Sequence, residues 1–285
     1  MGIGFALERR TWKQLLWDRT TRILAPLIFG SFFIVPIFWV IFFNYYAKPQ
    51  VYLPNPGHLW FLGNIYFYVL ILSPLCNYLR NHPDNKLFQV ASTGIGKPLG
   101  ILPLFALPLM LEAVLVAPRD YASFALEPFH GLLVGMVCFL SGFIFASLKE
   151  RFWQAVKNVK LITFSLAISL YLVRVLNLGL FDSRIFENML GSFESACWIL
   201  ASFGFGATYL NRPSKLLAYL SSAVYPVYIV HLPVQFFFSS LVFPLSISPQ
   251  LKFVFVLLTT YCGSALVFEG VKRLKGLRAV FGIRV

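Results

Sequence analysis

This sequence predicts an all-α membrane protein of about eight transmembrane helices, several of them bent by internal prolines. Two observations carry the prediction: apolar blocks of bilayer-crossing length, and cations that alternate between the connections. Of the 285 residues, 58% are hydrophobic and only 12% are charged. An ordinary soluble domain carries about 25% charged residues. The apolar excess falls in blocks of about 20 residues, the length of helix that crosses about 30 Å of hydrocarbon. The blocks lie near 23–46, 58–80, 98–117, 129–148, 159–178, 190–210, 219–241 and 251–270. They are continuous rather than alternating, so helices are expected and a membrane barrel is excluded.

Lys and Arg set the orientation through the positive-inside rule. The N-terminal stretch holds Arg9, Arg10, Lys13, Arg19 and Arg22. The next connections on that side hold Arg80, Lys86 and Lys97, then Lys149, Arg151, Lys157 and Lys160, then Arg212 and Lys215. The C-terminal stretch adds Lys272, Arg273, Lys275, Arg278 and Arg284. The opposite connections hold only Lys48, Arg119 and Arg184, while Arg174 and Lys252 lie in or beside spans. The alternation runs through all the spans, so both ends are expected in the cytoplasm.

The net charge of +13 belongs to these connections. No basic face or aromatic–basic platform accompanies it, so a lipid bilayer, not nucleic acid, is the expected partner. Cys76, Cys138, Cys197 and Cys262 each lie alone in an apolar block, without metal-ligand spacing, and read as structural thiols. Gly94-Ile95-Gly96-Lys97-Pro98 fails as a phosphate loop, because Pro98 stands where Ser or Thr is needed and Ala91 where the first Gly is needed. The N-terminal stretch lacks the apolar core of a signal peptide, and Ala6 breaks the myristoylation pattern after Gly2. Pro36, Pro74, Pro103, Pro108, Pro226 and Pro233 fall inside spans and should bend them around a cavity.

Charge at membrane depth is costly, about 2.5–3.5 kcal/mol on insertion scales. Glu112, Arg174 and Glu194 all fall one to one and a half turns below the outer surface in the predicted orientation. They read as an ion pair that ties helices together, as a polar vestibule for a substrate on the outer side, or as charges that snorkel to the surface. His231 lies near the middle of the seventh span, and Tyr228, His231 and Gln235 share one helical face. Packing and function are both open for His231. His58 and His130 begin spans at the outer face and His82 lies in a connection, so all three read as interfacial or solvated.

Gly57-His58-Leu59-Trp60-Phe61-Leu62, the stretch Tyr225-Pro226-Val227-Tyr228-Ile229-Val230-His231-Leu232-Pro233, and Phe139-Leu140-Ser141-Gly142-Phe143 together resemble the membrane-bound acyltransferase 3 family over residues 1–270. Within that family the sequence is most similar to glucans biosynthesis protein C-like members. The resemblance implies a bacterial inner membrane and transfer of an acyl group, acetyl or succinyl, from cytoplasmic acyl-CoA to a carbohydrate or glucan. It implies no cofactor beyond acyl-CoA as donor substrate, and no metal.

The family's N-terminal span carries an arginine and then a histidine taken to be catalytic; no residue here matches that histidine. Met1-Gly2-Ile3-Gly4-Phe5 resembles the end of the family's second span, which implies a gene fragment, a misplaced start or one half of a split enzyme. Arg19-Thr20-Thr21-Arg22 resembles its Arg-x-x-Arg element. Two guanidiniums three residues apart on a helix share a side and could hold the phosphates of coenzyme A. His231 is the remaining candidate base, or a supporting or channel-lining residue. Glu112, Arg174 and Glu194 are the candidate acceptor-side residues, and Tyr228 is a further candidate substrate-binding residue. Against this reading stand a transporter or flippase, which would need corresponding broken spans in two halves, and a non-catalytic remnant.

Overall fold

The computed structural model describes residues 11–176 and 183–283, except for the side chain of Trp12. Arg9, Arg10, Arg284, the Met1–Phe5 stretch, Gly2, Ala6 and the end of the fifth predicted span lie outside the described residues. The described residues form helices and connections, with no strand among them. All eight apolar blocks become helical. The long helices are α1 (Lys13–Tyr45) and α2 (Gly57–Asn81). A short amphipathic α3 (Lys86–Ile95) precedes α4 (Ile101–Val116), α5 (Pro128–Ser147) and α6 (Glu150–Val175). Then come α7 (Arg184–Phe205), α8 (Lys215–Val242) and α9 (Pro249–Arg273). Six of them, α1, α2, α5, α6, α8 and α9, are long and apolar enough to cross a bilayer. Helix α4 is shorter, at 16 residues. Helix α7 is diluted by Glu187, Asn188, Ser192 and Glu194.

The chain is an integral membrane protein, and its surface agrees. Large apolar side chains stand exposed in numbers that water would not tolerate, among them Leu115 at 74%, Phe253 at 68% and Leu107 at 59%. Helices also run past the apolar blocks. Helix α6 begins at Glu150 rather than near 159, and α1 begins before Arg19 rather than near 23. Charged residues such as Lys157 and Lys160 are good helix formers, so apolarity marks only the lipid-facing length. Side-chain oxygens cap three starts: Asn85 for α3, Ser214 for α8 and Ser248 for α9.

Two compact units divide the chain, one of residues 13–69 and 213–285, the other of residues 1–12 and 70–212. In the second, Phe105, Leu109, Phe152, Val156, Ala196, Cys197 and Leu200 form one core. Helices α6 and α7 approach closely at Gly204, where an added Cβ would run into the carbonyl oxygen of Val156 and lie 2.6 Å from Lys160 Cβ. Small residues are what let membrane helices touch in this way. Gly204→Val is therefore expected to lower stability by about 1–3 kcal/mol, measured as thermal unfolding in detergent. Unchanged unfolding would show that the two helices can separate at no cost.

The unit of residues 13–69 and 213–285 packs α1, the start of α2, α8 and α9 around Val35, Phe38, Leu59, Leu62, Ile229 and Val230. Its helices are built around prolines. Helix α1 widens into π-turns at Thr20–Leu24 and Gly30–Ile34, just ahead of Pro26 and Pro36. A proline cannot donate to the carbonyl four residues back. Three carbonyls in that position find other donors. Tyr225 Oη donates to Arg22 O (2.8 Å), behind Pro26. Tyr52 Oη donates to Phe32 O (2.7 Å), behind Pro36. His58 Nε2 bonds Ile229 O (3.0 Å), behind Pro233.

Candidate functional site

That last bond is the start of a site. Gly57 holds a positive φ of 47° at the entry to α2, and a Cβ there would press on Val35. The glycine lets the chain turn so that His58 meets α8. A backbone carbonyl can only accept, so the His58 proton sits on Nε2. Nδ1 of His58 is then a lone-pair nitrogen, buried and without a hydrogen-bond partner among the described residues. Tyr228 Oη donates back to His58 O at 2.6 Å, clamping the two helices. His231 Nδ1 lies 2.7 Å from Tyr228 O and must donate to it, which leaves its Nε2 with an open lone pair. The rings of His58 and His231 stand 5.1 Å apart and perpendicular, and Tyr228 stacks on His231 at 5.8 Å.

Two half-buried imidazoles with opposite tautomers, each fixed by a carbonyl, each keep one lone-pair nitrogen able to accept a proton. The predicted face of Tyr228, His231 and Gln235 is thus joined by His58. His58, expected to be interfacial or solvated, is half-buried and engaged through Nε2. Its partner lies 171 residues away, and only the position of Pro233 four residues after Ile229 hinted at a carbonyl in need of a donor.

One helical turn beyond His231, α1 and α8 enclose a cavity of about 280 Å³ lined by Phe42, Tyr46, Gln235, Phe236, Ser239 and Ser240. Phe42 packs on Tyr46 at 4.7 Å and on Phe236 at 6.3 Å. Aromatic faces mixed with an amide and hydroxyls suit a polar ring with apolar faces. On α1, Arg22 Nε pairs with Asp18 Oδ1 at 2.9 Å, and Arg19 is half-buried.

The charged residues of α4, α6 and α7 do not form one vestibule lining. Arg174 and Glu194 make a two-pronged ion pair, Nε to Oε2 at 3.0 Å and an Nη to Oε1 at 3.1 Å. Trp198 Nε1 also donates to Glu194 Oε1, at 3.2 Å. Glu112 instead bonds His130 Nδ1 through Oε1, at 2.8 Å. His130 is only 1% exposed, which corrects its reading as interfacial. Its Nε2 donates to Tyr121 O at 2.9 Å, and the Phe124 ring stacks on it at 5.3 Å. Nδ1 and Oε1 therefore hold one proton between them. Burial pushes the adjacent Tyr121 phenol far above its ordinary range, so it stays neutral. No group of potential metal ligands occurs among the described residues.

The fold and site together define the class as a polytopic helical membrane protein with a histidine pair held between two of its helices. The sequence matches the family model for the acyltransferase 3 domain over residues 2–269, so the chain belongs to that acyltransferase family. Comparison with curated proteins and with solved structures returned no match.

Proposed function

We propose that this membrane acyltransferase moves an acetyl or succinyl group from cytoplasmic acyl-CoA to a carbohydrate hydroxyl, as in glucan modification, with His231 as the base. The observation that carries this is the His231 tautomer: Nδ1–H is bound to Tyr228 O, so Nε2 is free to accept a proton. The acceptor hydroxyl oxygen attacks the thioester carbonyl carbon while its proton passes to Nε2. The C–S bond then breaks, and the departing thiolate takes the proton from His231. An ester and a free thiol result, and His231 returns to its starting form. The aromatic cavity beside Gln235 suits the sugar ring of the acceptor, one turn from the base.

Arg19 and Arg22 are the proposed holders of the donor phosphates, with the Asp18 pair opening to release Arg22. Glu112, Arg174 and Glu194 support the fold around the acceptor side. The enzyme sits in a bacterial inner membrane with both termini in the cytoplasm.

Membranes carrying the chain, alone or together with a segment supplying the family's N-terminal arginine and histidine, are given labelled acyl-CoA and a glucan. Label appearing in the glucan supports the reading. Uptake of glucan without label transfer refutes it. Arg19→Ala with Arg22→Ala is expected to raise the acyl-CoA KM about tenfold or more, since bonds to charged groups each contribute about 1.5–3 kcal/mol. An unchanged KM removes both residues from the donor site.

A further inference from the structure

The segment after α9 folds back onto the start of α1. Helix α9 stops at Leu274, whose backbone is extended at φ −94° and ψ 100°. A helical turn at Lys275–Arg278 and a 3₁₀ turn at Ala279–Phe281 follow. Arg278 Nε donates to Lys272 O at 2.8 Å, and the Ile283 amide donates to Arg278 O at 2.9 Å, so the return is closed by its own bonds. The whole segment lies beyond residue 269, where the acyltransferase domain ends.

Phe281 anchors it. The ring is buried in the core that holds Ile23 and stands 5.7 Å from Phe29, edge-on. Gly282 comes next, with a positive φ of 66°. A Cβ there would run into the Tyr225 ring and lie 3.4 Å from Arg22 O. Only glycine combines that backbone conformation with so close an approach. Tyr225 is the residue whose hydroxyl holds the Arg22 carbonyl, so the segment presses on both members of that bond.

Arg22 sits in the π-turn Thr20–Leu24, where the Ala25 amide donates to Thr20 O. A π-turn closes its loops over five residues instead of four, is rare, and gathers at functional sites. Its wider loop sets the angle at which Arg19 and Arg22 leave the helix, and relaxation to an ordinary α-turn would rotate one against the other. The turn is held from outside at three points. Thr20 Oγ1 bonds Tyr66 Oη at 2.9 Å, Tyr225 bonds Arg22 O, and Gly282 backs them both.

We propose that residues 275–283 are a positioning element of the donor site, with Phe281 as anchor and Gly282 as the contact that fixes the backbone carrying Arg22. The inference rests on the reading of Arg19 and Arg22 as holders of the donor phosphates. Both residues act on that backbone and not on the donor.

The test uses the full chain in phosphatidylcholine nanodiscs, with labelled acetyl-CoA in equilibrium dialysis. Gly282→Ala is expected to weaken binding about tenfold, the loss of one bond to a charged group. Phe281→Ala should do the same, and Phe281→Leu should restore most of the affinity by refilling the apolar seat. The deciding readout is a cycle with Arg22→Ala. Once Arg22 is gone, Gly282→Ala should weaken binding no further, whereas a general loosening of the fold would add to the effect of Arg22→Ala. Additive losses, or full affinity in Gly282→Ala, overturn the positioning role and leave Arg22 in the donor site. No binding by the parent chain, or full affinity in Arg22→Ala, removes the donor reading and this inference with it.

Discussion

Replacing His231 with Ala is expected to reduce acyl transfer by about 10²–10⁴-fold, the usual contribution of a positioned general base. The measurement is labelled-acyl transfer in whichever preparation is active, the chain alone or the chain with the added N-terminal segment. His231→Gln separates chemistry from scaffolding. A glutamine amide can still donate to Tyr228 O, so the clamp of His58, Tyr228 and α8 should survive, but the amide nitrogen cannot take up the acceptor proton. Equal losses in the Ala and Gln variants assign the base to His231. Substantial activity in the Gln variant would mean that the imidazole only orders α8, and the base would have to be sought elsewhere. In the active preparation the loss should appear in kcat with little change in the acyl-CoA KM, because His231 acts on the proton in flight and not on the donor's phosphates.

The helices were legible because hydrocarbon sets their length and the cations mark their ends. What was not legible came from two sources. Helix ends depart from the apolar blocks wherever charged residues continue a helix beyond the lipid, as at Glu150 in α6 and before Arg19 in α1. The short α3 was also hidden, although Phe88, Ala91 and Ile95 are spaced to bury one face, because it is too short for a span and fell within a cation-rich connection. The site was half legible. Tyr228, His231 and Gln235 follow from helical periodicity alone. His58 and His130 do not, because each is defined by a partner remote in sequence: the carbonyl of Ile229 for one and the carboxyl of Glu112 for the other. Residues at the start of a span look interfacial until tertiary packing covers them. The pairing of Arg174 with Glu194 was among the readings offered by their shared depth, whereas the recruitment of Glu112 by His130 was not.

The second large effect is expected at that buried pair. Leucine at position 130 would leave Glu112 with neither oxygen bonded, since Oε2 already lacks a partner and Oε1 bonds only His130 among the described residues. Breaking a buried ionic or proton-sharing pair by removing one member costs about 3–5 kcal/mol. His130→Leu should therefore unfold far below the parent in detergent, and Glu112→Leu should do so as well by stranding His130 Nδ1. Removing both should cost much less than the sum, because no uncompensated polar group is left behind. Glu112→Gln keeps a donor for Nδ1 and should lose little. If the two single losses simply add in the double variant, the proton shared by Glu112 and His130 contributes nothing to holding α4 against α5. The contact between these helices would then rest on apolar packing alone, and the pair would be free to serve as a titratable group rather than as a structural tie.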